Sequence, residues 1–161
     1  METIVLIDEM YLPFLFDCVD AAKDSIYAII YYAHISKSRD KDNIKTLFNM
    51  IALKKNAGLD VKILLNYVAT KNYLHDGLKR SFEYLQEKNV PVKCADASRV
   101  THTKMFVIDR QHLIIGSHNL SKSSIMYNRE MSIYNNHPGE AAKVCKYFLD
   151  EFYKADDKWL K

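Results

Sequence analysis

Residues 100–133 read VTHTKMFVIDRQHLIIGSHNLSKSSIMYNREMSI, and the first half of this stretch decides the architecture. Lys104–Ile108 (KMFVI) and residues 111–115 (QHLII) are apolar and rich in β-branched side chains. Only Asp109 and Arg110 separate them, which is hairpin spacing. Downstream, residues 130–134 predict a further strand and residues 139–153 a closing helix. Upstream, Thr3–Ile7 is short and apolar. Residues 11–23 show helical spacing through Leu12, Leu15, Phe16, Val19 and Ala22. Residues 25–33 (SIYAIIYYA) read as a buried strand. Residues 42–56 are helical through Ile44, Leu47, Phe48, Ile51 and Leu53, with Gly58 past the end. Asp60–Leu65 is a strand, residues 72–88 a helix, and residues 91–94 extended. Several strands are apolar on both faces, as strands covered by helices on both sides must be. The expectation is an α/β protein: an α/β/α sandwich whose central sheet is mixed, because the hairpin prevents a purely parallel one.

The bulk properties bound the problem. A chain of 161 residues, 48% hydrophobic and 27% charged, fits one compact domain over 1–161 with a full core. A formal net charge of +3 suits a polyanionic partner without requiring one. Cys18, Cys94 and Cys145 are far apart and in no C-x-x-C spacing, so neither a disulfide framework nor a zinc site is expected. Cys18 and Cys94 sit among apolar residues and read as buried small hydrophobes. The start METIVLIDEM lacks a basic region followed by a long apolar run, and no window reaches the length of a membrane span. A cytoplasmic protein with no stable membrane association is the expectation.

His102, Lys104 and Asp109 stand in H-x-K-x4-D spacing. Gly116, Ser117 and Asn119 follow, then Glu130 on the next strand. Two residues apart on a strand, His102 and Lys104 face the same way. An imidazole beside an ammonium is a poor structural pair, since both can be cationic. It makes sense with an anion between them: Lys104 neutralises a phosphate oxygen while His102 attacks or protonates. Alternation puts Asp109 on the opposite face at the hairpin turn, so it reads as scaffold. Gly116 and Ser117 end the second hairpin strand, where a glycine lets backbone N–H groups approach a ligand. The Asn119 amide can donate to a phosphate oxygen without adding charge. Glu130 is in place to accept from the far nitrogen of His102, fixing its tautomer. Three fixed residues match by chance once in ~8,000 starts, and the second trio lowers that by a similar factor.

The segment resembles the phospholipase D superfamily, and specifically its short single-motif members, the bacterial Nuc-type endonucleases. The AAKDSIYAIIYY stretch from Ala21 and DVKILLN from Asp60 are similar to the family's first helix–strand unit and its next strand. The resemblance implies a two-step, metal-independent mechanism that needs no cofactor. His102 attacks phosphorus, and water hydrolyses the phosphohistidine. Lys104 and Asn119 bind the phosphate with Ser117 close by, Glu130 holds His102, and Asp109 is structural.

One His102 cannot be both nucleophile and acid for the leaving oxygen. With one motif per chain, the expectation is a homodimer with the active site on its two-fold axis. Arg99, Lys122 and Arg129 flank the motif and are the expected contacts to a nucleic-acid backbone. Lys37, Arg39 and Lys41 read as a groove lining or a solvated loop. His118 departs from the family, which usually has a small, apolar or aromatic residue there; it reads as touching substrate or facing solvent, with solvent preferred. His34, His75, His112 and His137 read as structural or exposed, and residues 27–32 as sheet core. A nuclease is the favoured reading. The alternatives are a phospholipid hydrolase of cardiolipin type, which should show an exposed apolar docking element, and a silent nucleic-acid-binding dimerisation module.

Overall fold

A computed structural model describes residues 1–36 and 42–159; Lys37, Arg39 and Lys41 lie outside the described residues. Seven strands form one mixed sheet: β1 (Thr3–Ile7), β2 (Ser25–Ile30), β3 (Asp60–Leu65), β4 (Val92–Cys94), β5 (Lys104–Ile108), β6 (His112–Gly116) and β7 (Met131–Asn135). Their order is β1-β7-β6-β5-β2-β3-β4. The β2–β3–β4 half is parallel and every other pairing is antiparallel. The helices are α1 (Tyr11–Ala21), α2 (Asn43–Asn56), α3 (Tyr73–Glu87), α4 (Lys122–Met126) and α5 (Pro138–Lys154). The expected α/β sandwich with a mixed sheet is present.

Local chemistry sets the boundaries. Asp42 caps α2, its carboxylate accepting from the N–H groups of Ile44 and Lys45 at 2.9 and 3.1 Å. Asn72 caps α3 through the His75 N–H at 3.0 Å. The β5–β6 hairpin turns through Asp109 and Arg110, both at φ +53°, closed by the Gln111 N–H donating to Ile108 O at 3.1 Å. Two left-handed residues match the twist of the flanking strands. Strand β6 therefore starts at His112, one residue later than its apolar run suggests. Strand β2 ends at Ile30 rather than Ala33. There the chain leaves the sheet, and Ala33 bridges Leu120 instead. Helix α4, capped by Ser121, was not foreseen: five residues carry too little periodicity to show in sequence.

Alternation along the strands builds two cores. Ile26, Ala28 and Ile30 of β2 pack with Leu15, Phe48 and Phe82 beneath α1, α2 and α3. Tyr27 and Ile29 pack with Phe148 and Phe152 of α5 on the other face. Helix α5 covers only the middle of that face. Over β1, β7 and the end of β6 it leaves Val5, Ile7, Ile115, Met131 and Ile133 each 40–56% exposed. Val5 and Ile115 both pair with Ile133, and Ile7 with Met131, so these side chains share one face. Strands that read as apolar in sequence thus include a bare apolar surface, the element that the sequence reading did not find.

The cysteines are unpaired thiols. Burial pushes Cys94 up to about 12, and burial with the Asp17 carboxylate nearby pushes Cys18 up to about 11. Neither is primed as a nucleophile. Among the described residues, no helix is long and apolar enough to cross a membrane.

Candidate active site

Lys104 is the first residue of β5, and His102 lies in the extended lead-in to it. That lead-in is pinned: the Thr101 N–H donates to Oδ1 of the buried Asn66, just past β3, at 3.1 Å. Lys104 Nζ donates to His102 O at 2.7 Å and lies 3.4 and 3.5 Å from the two ring nitrogens. Near-equal distances show that neither nitrogen is captured in a single directed bond. The Tyr31 ring completes the cluster, 4.2 Å from the His102 ring and 4.4 Å from Lys104 Nζ, centroid measured. Partial burial lowers the Lys104 ammonium from its ordinary range, and the Glu130 carboxylate pulls it back up. Among the described residues, Lys104 is in no ion pair with a carboxylate.

Asn119 lies beside Lys104, both lining one small internal cavity. Its backbone N–H donates to Ser124 Oγ at 2.8 Å. Its Oδ1 is buried without a partner. An amide whose oxygen is inward presents its NH2 group the other way, and donors are what a phosphate needs.

Glu130, just before β7, accepts from Ser117 Oγ, from Ser124 Oγ at 2.8 Å and from Asn128 Nδ2 at 3.2 Å. Its backbone N–H donates to Asp8 Oδ1 at 2.8 Å. Burial works to raise its pKa, but these hydroxyl and amide donors outweigh it, and the carboxyl stays below its ordinary value. The hydrogen bonds of this carboxylate run to Ser117, Ser124 and Asn128 rather than to His102. Ser124, Asn128 and Asp8 were missed in sequence, because separations of 6, 2 and 122 residues carry no periodic signal.

The Asp109 carboxylate accepts the backbone N–H groups of Lys23 (3.0 Å), Asp24 (2.7 Å) and Ser25 (3.1 Å), tying the hairpin turn to the entry of β2. Gly116 has a packing reason beyond ligand approach. A Cβ there would lie 2.2 Å from Ser132 Oγ, 2.4 Å from Ser132 Cα and 2.5 Å from Met131 O.

His118 is a correction. It is 2% exposed, stacked on Tyr11 at 4.2 Å, and not in solvent. Nε2 lies 3.0 Å from Asp8 O and Nδ1 2.7 Å from Ser132 Oγ. A carbonyl only accepts, so Nε2 carries the proton and Nδ1 accepts from the serine. Burial pushes its pKa down, against the Asp8 carbonyl and the Glu130 and Asp8 carboxylates. The ring thereby bolts the motif turn to the turn after β1.

The cleft over His102 and Lys104 has a volume of about 760 Å³ and is also lined by Arg99, Gly116, Ile115 and Tyr147 of α5. Arg129 and Lys122 do not line it. Arg129 pairs with Asp8 at 2.8 Å, and Lys122 lies 5.9 Å over the Tyr127 ring. The other histidines are structural or peripheral: His75 meets Trp159 and Asp76, and His112 meets Tyr134.

A family model described as "Cardiolipin synthase, PLD-like domain" matches residues 15–153. Solved structures similar in fold include the following three. Nuc from Salmonella typhimurium, described as a phospholipase D family member, has a TM-score of 0.79 at 18% identity, covering 99% of this chain and 100% of that one. NucT from Helicobacter pylori gives 0.75 at 16%, covering 96% and 98%. Phosphatidylserine synthase from Haemophilus influenzae Rd KW20 gives 0.74 at 17%, covering 92% of this chain and 36% of that one. No curated protein matches the chain in sequence.

Proposed function

Because the chain belongs to the phospholipase D-like family, we propose that it is a phosphodiester hydrolase, acting on DNA or RNA as an endonuclease. The observation that carries this reading is the Lys104 ammonium against the His102 imidazole, open to a 760 Å³ cleft and unmatched by a carboxylate ion pair among the described residues. Such a pair is incomplete without an anion. An imidazole nitrogen of His102 attacks phosphorus, and the P–O bond to the leaving alcohol breaks. The leaving oxygen takes a proton from an acid. Water then attacks the phosphohistidine, releasing the phosphomonoester and restoring the imidazole. Lys104 and the Asn119 NH2 group hold the non-bridging oxygens. Ser117 lies close by, held by the Glu130 carboxylate, which also pulls the Lys104 ammonium back toward its ordinary range. Arg99 holds the flanking backbone. No step calls for a metal.

The acid is His102 of a second copy. The bare apolar face of β1, β7 and β6 supports this, because Ile115 belongs both to that face and to the cleft. A copy seated there by two-fold symmetry brings its own cleft alongside. Its exposed strand residues, Val5, Ile7, Ile115, Met131 and Ile133, are all uncharged, which fits a protein partner better than an anionic bilayer. An exposed apolar face is also what a phospholipid substrate held at a membrane surface would require, and the two readings separate by assay. Cleavage of single- and double-stranded DNA and RNA is measured in EDTA, with His102→Ala as control, beside phosphatidic acid formation from cardiolipin vesicles. Nucleic-acid cleavage lost in His102→Ala supports the proposal. Cleavage that needs added metal, or that survives the substitution, rejects it. Turnover of vesicles alone moves the reading to lipid.

A further inference from the structure

We infer that Tyr31 is a positioning residue, whose ring face holds the Lys104 ammonium and the His102 imidazole in one geometry. The inference rests on the phosphodiesterase reading above and names a residue outside its motif. In sequence, Tyr31 belongs to SIYAIIYYA and reads as core. The structure ends β2 at Ile30, one residue before it, and turns the chain toward Leu120. That turn frees Tyr31 from the sheet and lays its ring against both groups.

Three distances define the arrangement: 4.2 Å from the Tyr31 to the His102 ring, 4.4 Å from Lys104 Nζ to the Tyr31 ring, and 3.4 Å from Nζ to the imidazole Nδ1. Each group touches the other two, so none moves alone. The choice of an aromatic partner has a chemical consequence. A carboxylate would hold the ammonium but also neutralise it and compete with phosphate. A ring quadrupole holds it while leaving its charge and its N–H donors for the substrate. The same ring limits rotation of the imidazole, and in-line attack on phosphorus tolerates little misplacement.

The test is a set of variants assayed on a chromogenic phosphodiester, bis(p-nitrophenyl) phosphate, with His102→Ala as the inactive reference. Tyr31→Phe keeps the ring and should stay within about twofold of the parent. Tyr31→Leu should lose about 10- to 100-fold in kcat, with a smaller change in KM, at an unchanged circular dichroism spectrum. Ring-current shifts of the His102 ring protons are read by NMR in the same variants. They should persist in Tyr31→Phe and vanish in Tyr31→Leu, and they report the contact even if the parent does not hydrolyse this substrate. Parent-like turnover by Tyr31→Leu overturns the positioning role while leaving the hydrolase reading intact. Equal losses in Phe and Leu overturn it too, because the hydroxyl would then be the active part. Activity retained in His102→Ala instead strikes the underlying function.

Discussion

Replacing Asp109 separates scaffold from chemistry within the motif itself. Its carboxylate takes three backbone N–H groups, from Lys23, Asp24 and Ser25, and joins the β5–β6 turn to the start of β2. Hydrogen bonds to a charged acceptor contribute about 1.5–3 kcal/mol each when shielded. This turn is partly open to water, which can replace the lost acceptor, so roughly 1 kcal/mol each is appropriate. Alanine at φ +53° adds about 1 kcal/mol of backbone strain. Asp109→Ala should therefore destabilise by about 4 kcal/mol, lowering Tm by about 12 °C for a domain of this size. Asp109→Asn keeps an acceptor oxygen and tolerates the left-handed conformation, so it should cost about 1–2 kcal/mol. The carboxyl is slightly buried, which raises its pKa, but the three N–H donors bring it below the ordinary value. A depressed folded pKa gives stability that is fully present above the unfolded value, about 3.9, and lost as pH falls through the folded one. The Tm gap between parent and Asp109→Asn should hold at neutral pH and close in acid. Thermal melts from pH 2 to 7, with phosphodiesterase assays well below each Tm, check both parts. A variant that melts with the parent yet has lost its turnover would refute the scaffold assignment.

Gly116→Ala should lose about 2–3 kcal/mol by chemical denaturation, because two of the three atoms its Cβ meets are β7 backbone and cannot rotate aside. His118→Phe keeps the stack on Tyr11 but strands the Asp8 carbonyl and the Ser132 hydroxyl, for about 2 kcal/mol in the same measurement. Because His118 is held neutral, the parent should also lose stability as pH falls below about 6.5, a dependence that the variant lacks. Glu130→Gln should fold like the parent and lose about 100-fold in turnover; full activity would remove the carboxylate from the mechanism. Ile133→Asp places a charge on the bare face, and sedimentation should show monomers without activity; a fully active monomer would end the dimer proposal.

Residues whose role depends on short-range geometry were legible. Strand alternation alone placed Asp109 at the turn and away from His102, and the hairpin turn holds it there. Apolar spacing gave the helix faces, and capping side chains such as Asp42 and Asn72 stand where the periodic runs begin. Long-range partners were not legible. His118 looked solvent-facing because its neighbours are polar, yet Asp8 and Tyr11, more than a hundred residues earlier, enclose it. Tyr31 looked like core because it continues an apolar run, yet the run outlasts the strand. Gly116 invited a ligand-binding reading, while the approach of β7 already requires it.

The sequence by itself determined the α/β class, the mixed sheet, and the set of groups that could do the chemistry. Periodicity and side-chain reactivity are local properties, written within a few residues. Only the tertiary structure decided which face α5 leaves bare, which donors the Glu130 carboxylate accepts, and that Tyr31 rests against His102 and Lys104. Those facts depend on how far each helix reaches over the sheet and where each strand stops. Such limits come from packing among distant segments, which no stretch of the chain encodes alone.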